Sequence, residues 1–463
     1  MATSKQYDVV IVGAGISGLC TAHWLKKRGL SVLVLERDAE VGGTMKSKSH
    51  DGFLSESGPN SALETTPLFK ELVADLHLEN EFIYATPAGK NRFILKNGEL
   101  HALPLGPASF LMTPLFSVGA KLRLLLEPFI GRATKEESIA QFVERRLGKE
   151  FLRYAIDPFV AGVYAGKPDR LSVRAAFPKL YALEEKYGGL IRGMIGGARE
   201  RKKRAEKAKD RAETFAFRSG MQVFPQALSR SLGKSVLCNA DVKSIAQTKK
   251  NLWQVSYGLK SKRGVQSLFA SKVVIATPAN AASGFVRPIS KETSETLKNI
   301  YYPPVASVFV AYRRSQIARE LNGFGFLIPT SEQRKILGAL WSSSLFPNRA
   351  PEDAAAFTIF VGGSRQPELA QLDRTSLVQM ALGEFQSIMQ IHGKPLYCTV
   401  TRWKNAIPQY ELGYPDVVKK LHEFERQHAG IVFCSNFIGG ISVGDCVTHA
   451  REVADRIAGE FNR

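Results

Sequence analysis

The most restrictive feature of this chain is a glycine-spaced turn close to its start. Residues 7–12 (YDVVIV) form a short apolar run rich in β-branched residues, and Gly13-Ala14-Gly15-Ile16-Ser17-Gly18 follows at once. Residues 19–28 then have helical character, and residues 30–35 read as a second strand that ends at Glu36. Together these make a complete β–turn–α–β unit of the dinucleotide-binding kind. Gly13 permits the tight turn out of the strand. Gly15 has no Cβ, so the backbone there can approach a pyrophosphate, and Gly18 lets the helix pack close to the strand. The phosphates would face free N–H groups at the helix N-terminus, where the dipole favours anions. A carboxylate at Glu36 accepts hydrogen bonds from ribose hydroxyls and would repel a 2′-phosphate, which argues against NADP.

A second glycine pair, Gly42-Gly43, comes soon after Arg37, and Gly58-Pro59-Asn60-Ser61 lies a little further on. This arrangement resembles the extended phosphate-contact motif of FAD enzymes in the amine-oxidase and phytoene-desaturase superfamily. Residues 242–245, 252–257 and 272–275 read as a β-meander returning to the same sheet. Near the end, residues 430–434 read as a strand, and a glycine-rich loop leads into a helix from about 446 to 461. Val447, Ala450, Val453, Ala454 and Ile457 would form its apolar stripe. The start of such a helix, placed near the flavin N1 and O2, would stabilise the anionic reduced cofactor.

The length of 463 residues suggests about three domains of roughly 150 residues. With 63 Lys+Arg against 43 Asp+Glu the net charge is +20. That surplus points to an anionic membrane surface, an acidic substrate or nucleic acid, or simply to a solvated basic surface. Nucleic-acid modules are absent from the sequence, so no nucleic-acid partner is expected. The five cysteines are scattered and form no CxxC, so neither a disulfide framework nor a metal site is expected, and a reducing compartment fits. The first residues do not follow the pattern of a signal peptide. Residues 101–120 carry no formal charge but hold Pro104, Pro107 and Pro114, which rules out a regular membrane helix there. The amphipathic stretch 121–130 follows. The two segments read either as the core of a helical subdomain or as a surface dipping into one leaflet. Residues 199–211 are the most basic stretch and have no assigned partner.

Over nearly its whole length the chain resembles the protoporphyrinogen IX oxidase family, closest to its plastid-like branch. The segments that carry the likeness include GAGISGL, VLERDAEVGG, SGPNS, NRFIL, DPFVAGVYAG, FPKLYALE, YYPPVA, GFGFLIP, SSSLFPNRAP, GGSR, IPQY and GDC. The resemblance implies an α/β architecture: a Rossmann-like FAD-binding domain, an α+β substrate domain on an antiparallel sheet, and a helical membrane-binding region. On this chain those would be residues 1–90, 212–290 and 428–463, residues 91–102 and 291–427, and residues 103–211.

For non-covalent FAD the resemblance implies Gly13, Ala14, Gly15, Ile16, Ser17, Gly18, Glu36, Arg37, Gly42, Gly43, Gly58, Pro59, Asn60 and Ser61. Val242 would meet the adenine through its backbone, and Asn436, Ile441, Ser442 and Val443 would contact the flavin. For substrate it implies Arg92 against a propionate, Ala161 and Gly162 as small residues beside the macrocycle, and Leu327 on one pyrrole face. Trp341 would stack on the other face, where the family usually has Phe or Tyr.

The implied reaction oxidises protoporphyrinogen IX to protoporphyrin IX in three rounds of hydride transfer to flavin, with O2 reduced to hydrogen peroxide. The cofactor does the difficult chemistry, and no catalytic side chain is named. Coproporphyrinogen III, with four carboxylates, is the alternative substrate, and another flavin amine oxidase or desaturase a remoter one. Further expectations are an anionic membrane surface, a homodimer and handover of product to a chelatase. The expected location is cytoplasmic, peripheral or monotopic on the inner face of the cytoplasmic membrane.

Overall fold

A computed structural model describes residues 5–201, 212–261 and 263–462. Its first sheet has seven strands. The strand Gln6–Val12 lies at the centre between Val32–Leu35 and Val265–Ile275, and both pairings are parallel. Val9, Val10 and Ile11 are buried on both faces, as a central parallel strand requires. Val12 is level with both Leu35 and Ile275, so the carboxyl ends of three parallel strands meet along one edge. Open α/β sheets bind their ligands at that edge. Val236–Leu237 and Ile431–Phe433 add further parallel strands, while Trp253–Leu259 and Ala240–Gln247 extend the sheet as an antiparallel meander.

Several boundaries differ from the sequence reading, among them two near the end of the domain. The last meander strand runs from Val265 and not from 272, because its first half pairs with Trp253–Leu259 before its second half reaches Ile431–Phe433. The final helix, Val443–Phe461, starts three residues earlier than expected. The Ser442 hydroxyl accepts from the Asp445 N–H and the Asp445 carboxylate accepts from the Ser442 N–H, a reciprocal cap that sets the start.

The second sheet also has seven strands, in the spatial order Tyr397–Trp403, Val305–Arg313, Ala354–Gly362, Gly338–Leu340, Gly325–Leu327, Arg92–Lys96, Glu99–Ala102. All neighbours are antiparallel except Gly325–Leu327 with Arg92–Lys96. The helix Arg374–Met389 covers one face, its Leu377, Ala381, Phe385 and Ile388 sharing an apolar cluster with Val308, Val310, Phe357 and Ile359.

Between the strands of this second sheet the chain makes a helical excursion. The stretch 121–130 is no single amphipathic helix: Val118–Arg123 gives way to a 3-10 turn, Leu124–Phe129, whose Pro128 cannot continue a regular helix. A buried ion cluster ties this region together. Arg146 is fully buried and pairs with Glu127 at 3.0 Å and Glu184 at 2.8 Å. Glu127 also accepts from the N–H groups of Leu190 and Ile191, the start of the helix Leu190–Arg201. Most of the basic run lies outside the described residues. Outward, large apolar side chains stand free, among them Met112 at 85% and Phe129 at 82% exposure, with Val118, Leu125 and Leu126 beside them. Among the described residues no helix is long and apolar enough to cross a membrane, and no cluster of metal-ligating side chains occurs.

Candidate active site

The first helix, Ile16–Lys27, begins at Gly15 with no side chain capping its N-terminus and no acid in its first turn. Its leading N–H groups are therefore left for an anion. A Cβ built at Gly15 meets nothing within 4 Å, so the glycine faces open space. Gly13 holds φ +106°, a conformation other residues rarely adopt, and a Cβ at Gly18 would overlap the Gly13 carbonyl oxygen. Ile16 and the buried Ser17 open the helix behind this loop. The second glycine pair folds back onto the first: the Gly42 N–H donates to the Ala14 carbonyl at 2.8 Å, and a Cβ at Gly43 would lie 3.4 Å from the Gly15 Cα.

Glu36 stands at the end of its strand with its carboxylate accepting from the Ala14 N–H at 2.7 Å and from the Asp38 N–H. The Ala240 N–H donates to the Glu36 carbonyl, which places the strand Ala240–Gln247 and its Val242 beside the acid. Arg37 is exposed and lies 3.6 Å from Asp38. Gly15, Gly43, Glu36 and Val242 are thus gathered at one sheet edge.

A second group of expected cofactor residues links the two sheets. Gly58 packs so tightly on Thr44 that no Cβ fits. Pro59 and Ser61 are half-buried, and the Asn60 side-chain oxygen accepts from the Thr358 hydroxyl at 3.2 Å on the second sheet. The Trp403 indole N–H donates to the Ser57 carbonyl at 2.6 Å. At the C-terminal loop the Tyr410 and Tyr414 hydroxyls donate to the carbonyls of Asn436 and Phe437, at 2.6 and 2.7 Å. Ile441 packs on the main core, and Ser442 and Val443 begin the last helix. Nearby, burial pushes the Cys446 thiol up to about 11 and the Cys434 thiol to about 12, so both stay neutral near pH 7 and are poor nucleophiles.

The open space at Gly15, the uncapped helix and the adjacent carboxylate fit a dinucleotide with a diphosphate and a free ribose. These residues would hold FAD, which when bound supplies a hydride acceptor that O2 can reoxidise.

The expected substrate residues divide by sheet face. Side chains alternate along strands, and the register Gly325↔Arg92, Gly325↔Leu340, Leu327↔Gly338 and Leu340↔Thr358 puts Arg92, Leu327, Leu340, Thr358 and Phe360 on one face. Thr358 on this face meets Asn60. Gly162, in the helix Asp157–Tyr164, closes on the same face: a Cβ there would come within 2.7 Å of a Leu327 methyl. Ala161 is buried in a small cluster with Val305 and Leu337, against which Phe360 packs. Arg92 is exposed with its guanidinium 4.8 Å from the Phe324 ring centre, and among the described residues no carboxylate pairs with it.

Trp341 corrects the sequence reading. It lies one residue past Leu340 and turns to the opposite face, where it is 1% exposed and stacks on Phe93 with ring centres 5.4 Å apart. It belongs to the cluster under the helix Arg374–Met389 and cannot wall a site on the Leu327 face. Phe360 and Leu340 lie on the Leu327 face, as do Phe309, Tyr397 and Trp403 further along the sheet. The alternation in residues 357–361 (FTIFV) already separates Phe360 from Phe357 and Ile359.

Residues 16–458 match the family model described as flavin containing amine oxidoreductase. Protoporphyrinogen oxidase 2, chloroplastic/mitochondrial, of Arabidopsis thaliana is 32% identical, covering 97% of this chain and 93% of that protein. Chloroplastic protoporphyrinogen oxidase of Oryza sativa subsp. japonica is 35% identical over 97% of this chain and 88% of its own length. The chain belongs to the protoporphyrinogen oxidase family. It is a flavin-dependent oxidoreductase, and its cofactor is FAD. Within the same family, coproporphyrinogen III oxidase of Bacillus subtilis is 28% identical and covers 97% of each chain. A solved protein of Exiguobacterium sp. 255-15 has the same fold, with a TM-score of 0.81 at 22% identity over 99% of both chains. The match to this family extends through the helical excursion as well as both sheets.

Proposed function

We propose that this enzyme oxidises protoporphyrinogen IX to protoporphyrin IX at the expense of three O2, giving hydrogen peroxide, in the penultimate step of haem formation. The observation that carries the reading is a cation with no carboxylate partner among the described residues, Arg92, on the sheet face that also presents Leu327 and Phe360 and on which Gly162 closes. A macrocycle with apolar pyrroles and two propionates needs that combination. The aliphatic and aromatic walls hold the ring flat and exclude water, while Arg92 fixes its orientation. Arg92→Ala removes a charge-assisted contact worth about 1.5–3 kcal/mol, so steady-state kinetics should show KM raised roughly 10- to 100-fold with kcat little changed. An unchanged KM would remove Arg92 from the site.

The coproporphyrinogen III oxidase relative, matched end to end, keeps the tetracarboxylate in view as the second reading. Competition of the two porphyrinogens under air, read by porphyrin fluorescence and peroxide, decides between them. A higher kcat/KM for coproporphyrinogen III would overturn the stated choice.

The proposal includes a lipid surface. The exposed apolar group Met112, Val118, Leu125, Leu126 and Phe129 lies close in sequence to the basic Lys121 and Arg123, which suits a leaflet of anionic lipid. A large apolar side chain withdrawn from water contributes about 1.5–3 kcal/mol, so replacing Leu125, Leu126 and Phe129 together by Ser should cut vesicle binding more than about tenfold. Flotation with phosphatidylglycerol vesicles measures it, and undiminished binding would refute this face as the contact.

A further inference from the structure

The helix Asp157–Tyr164 carries Gly162, and an ion pair at its first residue decides where it sits. The Asp157 carboxylate accepts from the Thr330 N–H at 2.7 Å and from the Thr330 hydroxyl at 2.9 Å. Arg365 reaches the same carboxylate at 2.9 Å, and both side chains are nearly buried. The other contacts of Arg365 are to backbone: one guanidinium nitrogen donates to the Asp157 carbonyl at 2.9 Å, the other to the Ile328 carbonyl at 2.6 Å. Ile328 and Thr330 follow directly on the strand Gly325–Leu327. Arg365 itself follows the turn that ends the strand Ala354–Gly362, and the Ser364 N–H of that turn donates to Ala165, just past the end of the helix, at 2.7 Å. The helix is therefore tied at both ends to the strands that present Leu327 and Phe360.

We infer that the Asp157–Arg365–Thr330 clamp is a positioning device that holds Gly162 against Leu327, and through that contact sets the shape of the surface offered to the porphyrinogen ring. It rests on the reading of Gly162 and Leu327 as walls of the substrate site. The geometry is suited to this task and goes beyond anchoring. A planar guanidinium with donors on two nitrogens holds the helix start and the strand end at fixed separation, which a lysine ammonium on a flexible stem cannot do. Gly162 packs so closely on Leu327 that a Cβ would not fit between them, so a small displacement of the helix moves the Leu327 side chain directly. Neither Asp157 nor Arg365 needs to touch the ring.

The test uses holoenzyme and separates KM from kcat. Arg365→Lys keeps the charge and loses the fork, and should raise the KM for protoporphyrinogen about tenfold, with kcat within about twofold and FAD content unchanged. Thr330→Val keeps the backbone bond, removes only the hydroxyl, and should give a smaller rise in the same direction; it serves if Arg365→Lys fails to fold. Gly162→Ala, measured alongside, tests the underlying reading, because the added methyl must push against Leu327 and should raise KM too. If Gly162→Ala raises KM and neither clamp variant does, the clamp is refuted and the site reading stands. If Gly162→Ala leaves KM unchanged, the site reading fails and the clamp inference falls with it. A fall in kcat or loss of FAD at unchanged KM in the clamp variants would also overturn the inference.

Discussion

Gly15→Val is expected to give a folded protein that carries no FAD. The backbone at Gly15 has φ −73° and ψ 177°, an extended conformation that valine adopts readily, and the space around its missing Cβ is open. The fold should therefore tolerate the side chain, which would instead stand where the diphosphate must come against the helix N-terminus. Purified variant should show no flavin absorbance and no oxidase activity. Its melting temperature should match wild-type apoprotein, since bound cofactor itself stabilises the native state. Gly18→Ala makes the contrast. Its methyl would overlap the Gly13 carbonyl oxygen, so that variant should lose the turn along with the cofactor. Normal flavin content in Gly15→Val would refute the placement of the diphosphate.

Arg146→Ala should be the most damaging change outside the two sheets. It leaves Glu127, fully buried, and Glu184, 4% exposed, without their central cation. Breaking a buried ion pair by removing one partner costs about 3–5 kcal/mol, because the remaining charge stays desolvated. Glu127 would still accept from the Leu190 and Ile191 N–H groups, which cannot neutralise it. Chemical denaturation should show the loss, and limited proteolysis should find new cleavage between residues 127 and 190. Arg145→Ala is the control, because Arg145 is partly exposed and its loss still leaves Glu184 with Arg146. A midpoint for Arg146→Ala equal to that of Arg145→Ala would sink this account of the helical region.

The nucleotide half of the site was legible from the residues in order. Gly13, Gly15, Gly18 and Glu36 all fall within one β–turn–α–β unit, where chain connectivity alone sets the geometry. The meander and the final helix were legible for a similar reason, as period and capping are local, and only their ends moved. The substrate half was less so. Trp341 and Leu340 are neighbours in the chain, and which of them shares the Leu327 face depends on strand register against Gly325 and Thr358, which no local pattern reveals. An aromatic in a familiar segment was thus assigned to a face that its side chain turns away from.

What the sequence by itself determined is the dinucleotide-binding unit, because short-range backbone sterics and helix electrostatics need no distant partner; FAD and the family of its chemistry followed from the resemblance of whole segments. Only the tertiary structure decided which side chains share the Leu327 face, that Arg365 and Arg146 are buried cations with structural partners, and that Arg92 has no carboxylate partner among the described residues. A basic residue reads alike in sequence whether it is buried in an ion pair or free at a surface. Its role depends on the carboxylates that folding brings to it, and those come from segments tens to hundreds of residues away.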